Sequence, residues 1–137
     1  MKRTLFLLIL TAWCHLTGCA SLKPGADPLV VRCEQAEQVA FSTFNAFVHL
    51  VADHEAKVKA TVPAAFTFAE WLRAKTADGT PRGLAMVTSL GNVRRAYAAN
   101  RSPENKATVL GALAAVQAAI EESQRHLSTL NAQPSTH

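Results

Sequence analysis

The sequence lacks most of the signals that announce a reaction. Gly79 and Gly83 flank Pro81 without the spacing of a phosphate-cradling loop. There is no Gly-x-Ser-x-Gly elbow. There is no His-Glu-x-x-His either, although Asp53-His54-Glu55 comes near it in composition. None of Cys14, Cys19 and Cys33 joins a histidine at metal-site spacing, so no zinc-type ligand set is written in the chain. No stretch of useful length alternates apolar and polar residues. No Asn-Gly or Asp-Gly falls between two such runs, which argues against hairpins and a sheet. Internal repeats and low-complexity tracts are missing. Charge of one sign is scarce too: the net charge of +4 is too small for the basic stripe that grips nucleic acid.

What is present begins at the N-terminus. Lys2 and Arg3 precede the apolar run Leu5-Phe6-Leu7-Leu8-Ile9-Leu10, and Leu16-Thr17-Gly18-Cys19 follows. A basic start, an apolar run and a small-residue zone, in that order, make a secretory signal. The run is too short to span a bilayer, which takes about 20 apolar residues. Leu16-Thr17-Gly18-Cys19 closely resembles the lipobox of bacterial prolipoproteins. The resemblance covers roughly the first nineteen residues and implies cleavage between Gly18 and Cys19. The Cys19 thiol then carries a diacylglycerol, and its new amine is usually acylated. Ala20 stands where this family commonly places Asp for retention in the inner membrane. The implied destination is therefore the periplasmic face of the outer membrane, ahead of the inner membrane.

On this reading residues 1–18 are a signal peptide and 19–27 are the lipidated Cys and a flexible tether. Residues 28–131 are the folded domain, and 132–137 are a disordered tail. Removing the signal leaves roughly 120 residues, enough for one small domain. Lys2 and Arg3 leave with it, so the net charge falls from +4 toward +2. Cys14 is lost and Cys19 is consumed by lipid, so Cys33 has no internal partner. It is expected either as a small buried apolar residue or as a weak bridge between two copies.

The rest reads as helix. Asp27-Pro28 is a cap followed by a proline suited to the first turn. Ala40, Phe44, Phe47, Val51 and Val58 recur at helical steps, with His54 filling the gap. Cys33, Phe41 and Val48 broaden that stripe. The spacing predicts one amphipathic helix to about Lys59. Pro63 forces a break near 60–63, with Thr61 as a cap for a short helix from about Ala64 to Lys75. Its apolar members are Ala65, Phe68 and Leu72, with Phe66 and Trp71 beside them. Asp78-Gly79-Thr80-Pro81 is a turn. Thr80-Pro81 repeats the cap-then-proline device for a helix to about Ala99, with Leu84, Val87, Leu90 and Tyr97 as a partial stripe. Ser102-Pro103-Glu104 opens the last helix, whose seam is Val109, Leu113, Val116, Ile120, Ser123, Leu127 and Leu130. That seam is expected to pack inward against the first helix. The predicted fold is all-α: a small antiparallel helical bundle of three to four helices behind the lipoprotein signal.

Function is less legible. His49 and Asp53 lie four apart and can face each other, as a base and its orienting carboxylate would. His54 is expected as a hydrogen-bonded seam residue. Glu34, Glu37, Glu121 and Glu122 are expected on solvated helix faces. Arg94, Arg95, Arg101 and Lys106, with Tyr97 interleaved, form the densest basic region, and Phe66 is the aromatic expected to reach solvent. Arg94, Arg95, Tyr97, Arg101 and Phe66 are the possible contact surface. No catalytic residue, cofactor or metal is called for. The leading expectation is a monomeric lipid-anchored bundle without catalysis. It is held to the membrane by its lipid and binds an envelope protein or cell-wall component, and no nucleic acid. The alternatives are a small periplasmic enzyme or inhibitor using His49 and Asp53, or a carrier of a small apolar ligand between its helices.

Overall fold

The fold begins at Asp27. Its Oδ1 accepts a hydrogen bond from the Leu29 amide at 2.8 Å, and Pro28 takes the first helical position. This is the expected cap, and it satisfies one of the amides that a helix start leaves unpaired. The structure, a computed structural model, describes residues 25–132. The signal segment, Cys19 and residues 20–24 of the tether lie outside the described residues, as does the tail from residue 133.

Five helices follow among the described residues: α1 (Pro28–Asp53), α2 (Glu55–Thr61), α3 (Pro63–Arg73), α4 (Arg82–Ala99) and α5 (Pro103–Asn131). No strand is formed among them; Lys75 and Pro81 make only an isolated bridge across a turn. The chain is an all-α bundle. Long helices α1, α4 and α5 pack pairwise, and α3 packs on α1 and α4. Helix α4 runs antiparallel to α1, since Tyr97 meets Asp27 near one end and Gly83 meets Phe44 toward the other. No helix among the described residues is long and apolar enough to cross a membrane.

The core follows the predicted stripes on α1 and α5, except that Phe41, expected to broaden the α1 stripe, is 54% exposed. Cys33, Ala40, Phe44, Phe47 and Val51 are buried from α1, and Val109, Leu113, Val116 and Ile120 from α5. The α5 seam thus points inward. Ser123 sits fully buried within it and is tolerated because its hydroxyl donates to the Ala119 carbonyl at 2.8 Å. Cys33 is fully buried as well, and burial pushes its thiol pKa up, with Glu37 adding to the effect. A bridge between copies through Cys33 therefore requires α1 to open.

Several local expectations are corrected. Helix 1 does not continue to Lys59: it ends at Asp53, and His54 leaves the helical conformation (φ −124°, ψ 29°) before α2 starts. His54 is exposed, outside the seam. Thr61 does not cap α3. It closes α2, its hydroxyl bonded back to the Lys57 carbonyl at 2.8 Å, and α3 starts from Val62 without a side-chain cap. Thr80 does not cap α4 either. Its carbonyl accepts from Thr76 N and Oγ1 and closes a turn in which Gly79 takes φ 84°. Ser102 does cap α5, accepting from the Asn105 amide at 3.2 Å.

The buried face of α4 also differs from the expected stripe. Gly83, Leu90, Gly91 and Tyr97 are inside, whereas Leu84 is 45% exposed. The two glycines explain the rotation. A Cβ on Gly83 would stand 3.2 Å from Leu72 Cδ2, and one on Gly91 would stand 3.3 Å from Glu37 Oε2. Missing side chains let α4 lie close to α1 and α3, which resolves what the two helix-weakening residues are for.

Candidate functional site

The close approach at Gly83 leaves a hollow beside it. Helix α1 supplies Phe41, Phe44, Asn45 and Val48, the end of α3 supplies Leu72 and Arg73, and Pro81, Gly83, Leu84 and Val87 come from the start of α4. The groove holds about 400 Å³, a size typical of small-molecule sites at ~300–1,000 Å³. Phe44 and Leu72 are buried residues at its base, while Phe41 (54% exposed) and Leu84 keep large apolar surface in water. Phe41 and Leu84 thus stand beside one concavity and are not scattered singly over the surface. Asn45 and Arg73 are the polar members of the lining. Arg73 also pairs with Glu70 one turn back on α3.

The basic region near the end of α4 is built differently from the expected contact surface. Arg94 is committed within the fold: its Nε donates to Glu37 Oε1 at 2.7 Å and its Nη1 to Glu34 Oε1 at 2.8 Å. The hydrogen bond to Glu37 holds the guanidinium pKa above its ordinary value against the opposing effect of burial. Glu37 is correspondingly half-buried instead of solvated. Tyr97 is buried, and its hydroxyl donates to Asp27 Oδ2 at 3.1 Å. Burial first, then that hydrogen bond, raises the phenol pKa. Arg101 is exposed, with its Nε 3.6 Å from the same carboxylate oxygen. Of the five proposed contact residues, Arg95 and Arg101 remain exposed, and Arg95 donates to Asn92. Phe66 is half-buried, with Lys59 Nζ 5.2 Å from its ring centroid.

His49 and Asp53 are both exposed on α1 and do not line the groove. The histidine with a built environment is His126, which the sequence did not single out. It is buried, stacks on Phe47 with ring centroids 5.8 Å apart, and lies 5.7 Å from Phe68. Its Nε2 is 2.8 Å from Glu122 Oε1, so Glu122 too is drawn off the solvated face. Burial lowers the imidazole pKa, and nearby Arg125 lowers it further. Phe68 also stacks on Trp71 at 5.6 Å. The signal for His126 was its place three residues after Ser123 on the seam, a step that heptad reading gives to Leu127 instead. Among the described residues no three His, Cys, Asp or Glu side chains gather as a metal site.

Comparison with known proteins finds no matching family model, no matching curated protein and no matching solved structure.

Proposed function

We infer that the chain is a lipid-anchored bundle, tethered through Cys19 at the periplasmic face of the outer membrane, that acts by binding and not by catalysis. The groove between α1, α3 and α4 is the observation that carries the binding half of this reading. It brings exposed Phe41 and Leu84 to one concavity of about 400 Å³, whereas the basic residues of α4 are partly spent inside the fold. The anchoring half rests on Leu16-Thr17-Gly18-Cys19 after its apolar run. What binds is an envelope component, either a protein segment or a small apolar ligand.

Two experiments test the halves separately. Cys19→Ser should leave an uncleaved, unacylated precursor, seen as a larger band without metabolic acyl label. A mature acylated product from that variant would remove the anchor. A photo-crosslinking residue at position 41 or 84 should capture an envelope component in cells, while the same probe at exposed Thr108 of α5 should not. Equal capture from all three positions would overturn the groove as the binding site.

A further inference from the structure

We propose that the end of the bundle where the chain enters the fold is a headgroup-binding surface, whose exposed cations rest on anionic phospholipid of the bilayer that holds the anchor. The proposal rests on anchorage through Cys19 and adds which end of the domain meets the membrane.

Three helix ends meet there. Helix α1 starts at Pro28, α4 ends at Ala99 and α5 starts at Pro103. The Tyr97 hydroxyl ties the end of α4 to Asp27, and only residues 100–102 separate α4 from α5. Within four residues of those ends, roughly 6 Å along each axis, the charged side chains are Arg32, Arg95, Arg101 and Lys106 against Asp27 and Glu104. All four cations are exposed. Both carboxylates are engaged by the fold. Asp27 accepts from the Leu29 amide and the Tyr97 hydroxyl, and its side chain is only 12% exposed against 61% for Arg101. Hydrogen bonds from its own amide and from Ser102 hold the Glu104 carboxyl below its ordinary value. The charge this end turns to solvent is therefore positive.

Reach and charge select the partner. Asp27 is the eighth residue after Cys19, so it lies at most roughly 28 Å from the anchor, at about 3.5 Å per residue. An anchored chain thus keeps this end within constant reach of headgroups. Arg and Lys extend their charged tips outward while the stems stay on the protein. Each such cation near an anionic bilayer strengthens binding by about fivefold. The four cations are spread over three helices and a loop, which suits the many phosphates of a fluid layer better than one carboxylate of a protein partner. The opposite end offers no comparable surface: exposed Lys57 and Lys59 stand there among exposed Asp53 and Glu55.

The test uses the chain as purified from cell membranes, its acyl state read by mass. It is reconstituted in vesicles of phosphatidylcholine, alone or with one third phosphatidylglycerol. A fluorophore on Ala98→Cys, at the exposed end of α4, reports quenching by a headgroup-labelled lipid, and one on exposed Ala60→Cys reports the far end. Cys33 is buried and stays unlabelled. Quenching at position 98 should rise about threefold with the anionic lipid, and quenching at position 60 should not. The rise should vanish in about 1 M salt, where the screening length is ~3 Å. It should also vanish when Arg32→Gln, Arg95→Gln and Lys106→Gln are combined, with thermal melting unchanged. Lys57→Gln combined with Lys59→Gln should keep it. Equal quenching in both vesicles, a rise at position 60, or a rise that survives salt would each overturn the proposal. So would a photo-crosslinker at position 98 that captures an acidic protein in cells and no lipid. A purified chain without acyl mass would remove the anchor reading and this proposal with it, whereas an acylated chain without the rise would remove the proposal alone.

Discussion

The Tyr97 hydroxyl donates to Asp27 Oδ2 at 3.1 Å, across 70 residues of sequence. The same carboxylate caps α1 through its other oxygen and lies near Arg101. One side chain thus starts the first helix and fastens it to the end of α4. The backbone bond from Leu29 is the largest influence on Asp27, and with Tyr97 and Arg101 it holds the carboxyl pKa below the ordinary 3.8.

Because the folded value lies below the unfolded one, this stabilisation is complete above about pH 3.8 and fades as pH falls through the lower folded value. Urea melts of wild type should lose midpoint between pH 5 and pH 3 by more than those of Asp27→Asn. Tyr97→Phe should shrink the difference. Identical pH slopes for wild type and Asp27→Asn would show that the carboxylate contributes nothing.

His126 predicts a second, higher window. Burial holds its folded pKa below the ordinary 6.5, so the unfolded chain binds the proton more readily. Stability from the neutral imidazole is present above the unfolded value and is lost as pH falls through the folded one. Asp27 is fully ionised across this range. The chemical-denaturation midpoint should therefore drop from pH 7.5 to pH 5 in wild type, and His126→Phe should flatten that drop while keeping a ring against Phe47. An unchanged drop in the Phe variant would assign it to other groups.

Phe47 is fully buried against His126 and Phe68, and Phe44 is 5% exposed. Truncating either to Ala should cost about 3–5 kcal/mol in urea melts. Phe41, at 54% exposure, should cost ~0.5 kcal/mol or less. A loss at Phe41 equal to that at Phe47 would mean that the groove wall is part of the core.

Arg94 and Glu37 should behave as a unit. Both side chains are largely screened from water, so Arg94→Met should cost about 1–3 kcal/mol by leaving Glu37 without its partner. Adding Glu37→Gln should recover part of that loss, since the remaining neutral amide tolerates the site better than an unpaired charge. A double-mutant cycle in urea measures the coupling, and strict additivity would show the pair to be idle.

Legibility divided along a physical line. The α1 and α5 faces were readable because periodicity is a property of one helix, and Asp27 and Ser102 were readable because caps act within a few residues. The break at His54 was not, since no Gly or Pro stands there and steps of three, four and seven fit both a continuous and an interrupted helix. The α4 face differs from its stripe because Gly83 and Gly91 carry no apolar side chain for periodicity to register, yet become contact points once neighbouring helices are in place. Glu37 with Arg94, and Phe41 with Arg73 and Leu84, come from separate helices. Their meeting depends on crossing geometry that no local pattern records.

The cap at Asp27 also sets a distance. From there α1 runs without interruption past the groove, so Phe41 stands roughly 20 Å along the axis from the point where the chain enters the fold, at about 1.5 Å per residue. A stiff rod of that length works as a stand-off. The point of chain entry and the groove are thereby kept a fixed distance apart, because no break in α1 lies between them.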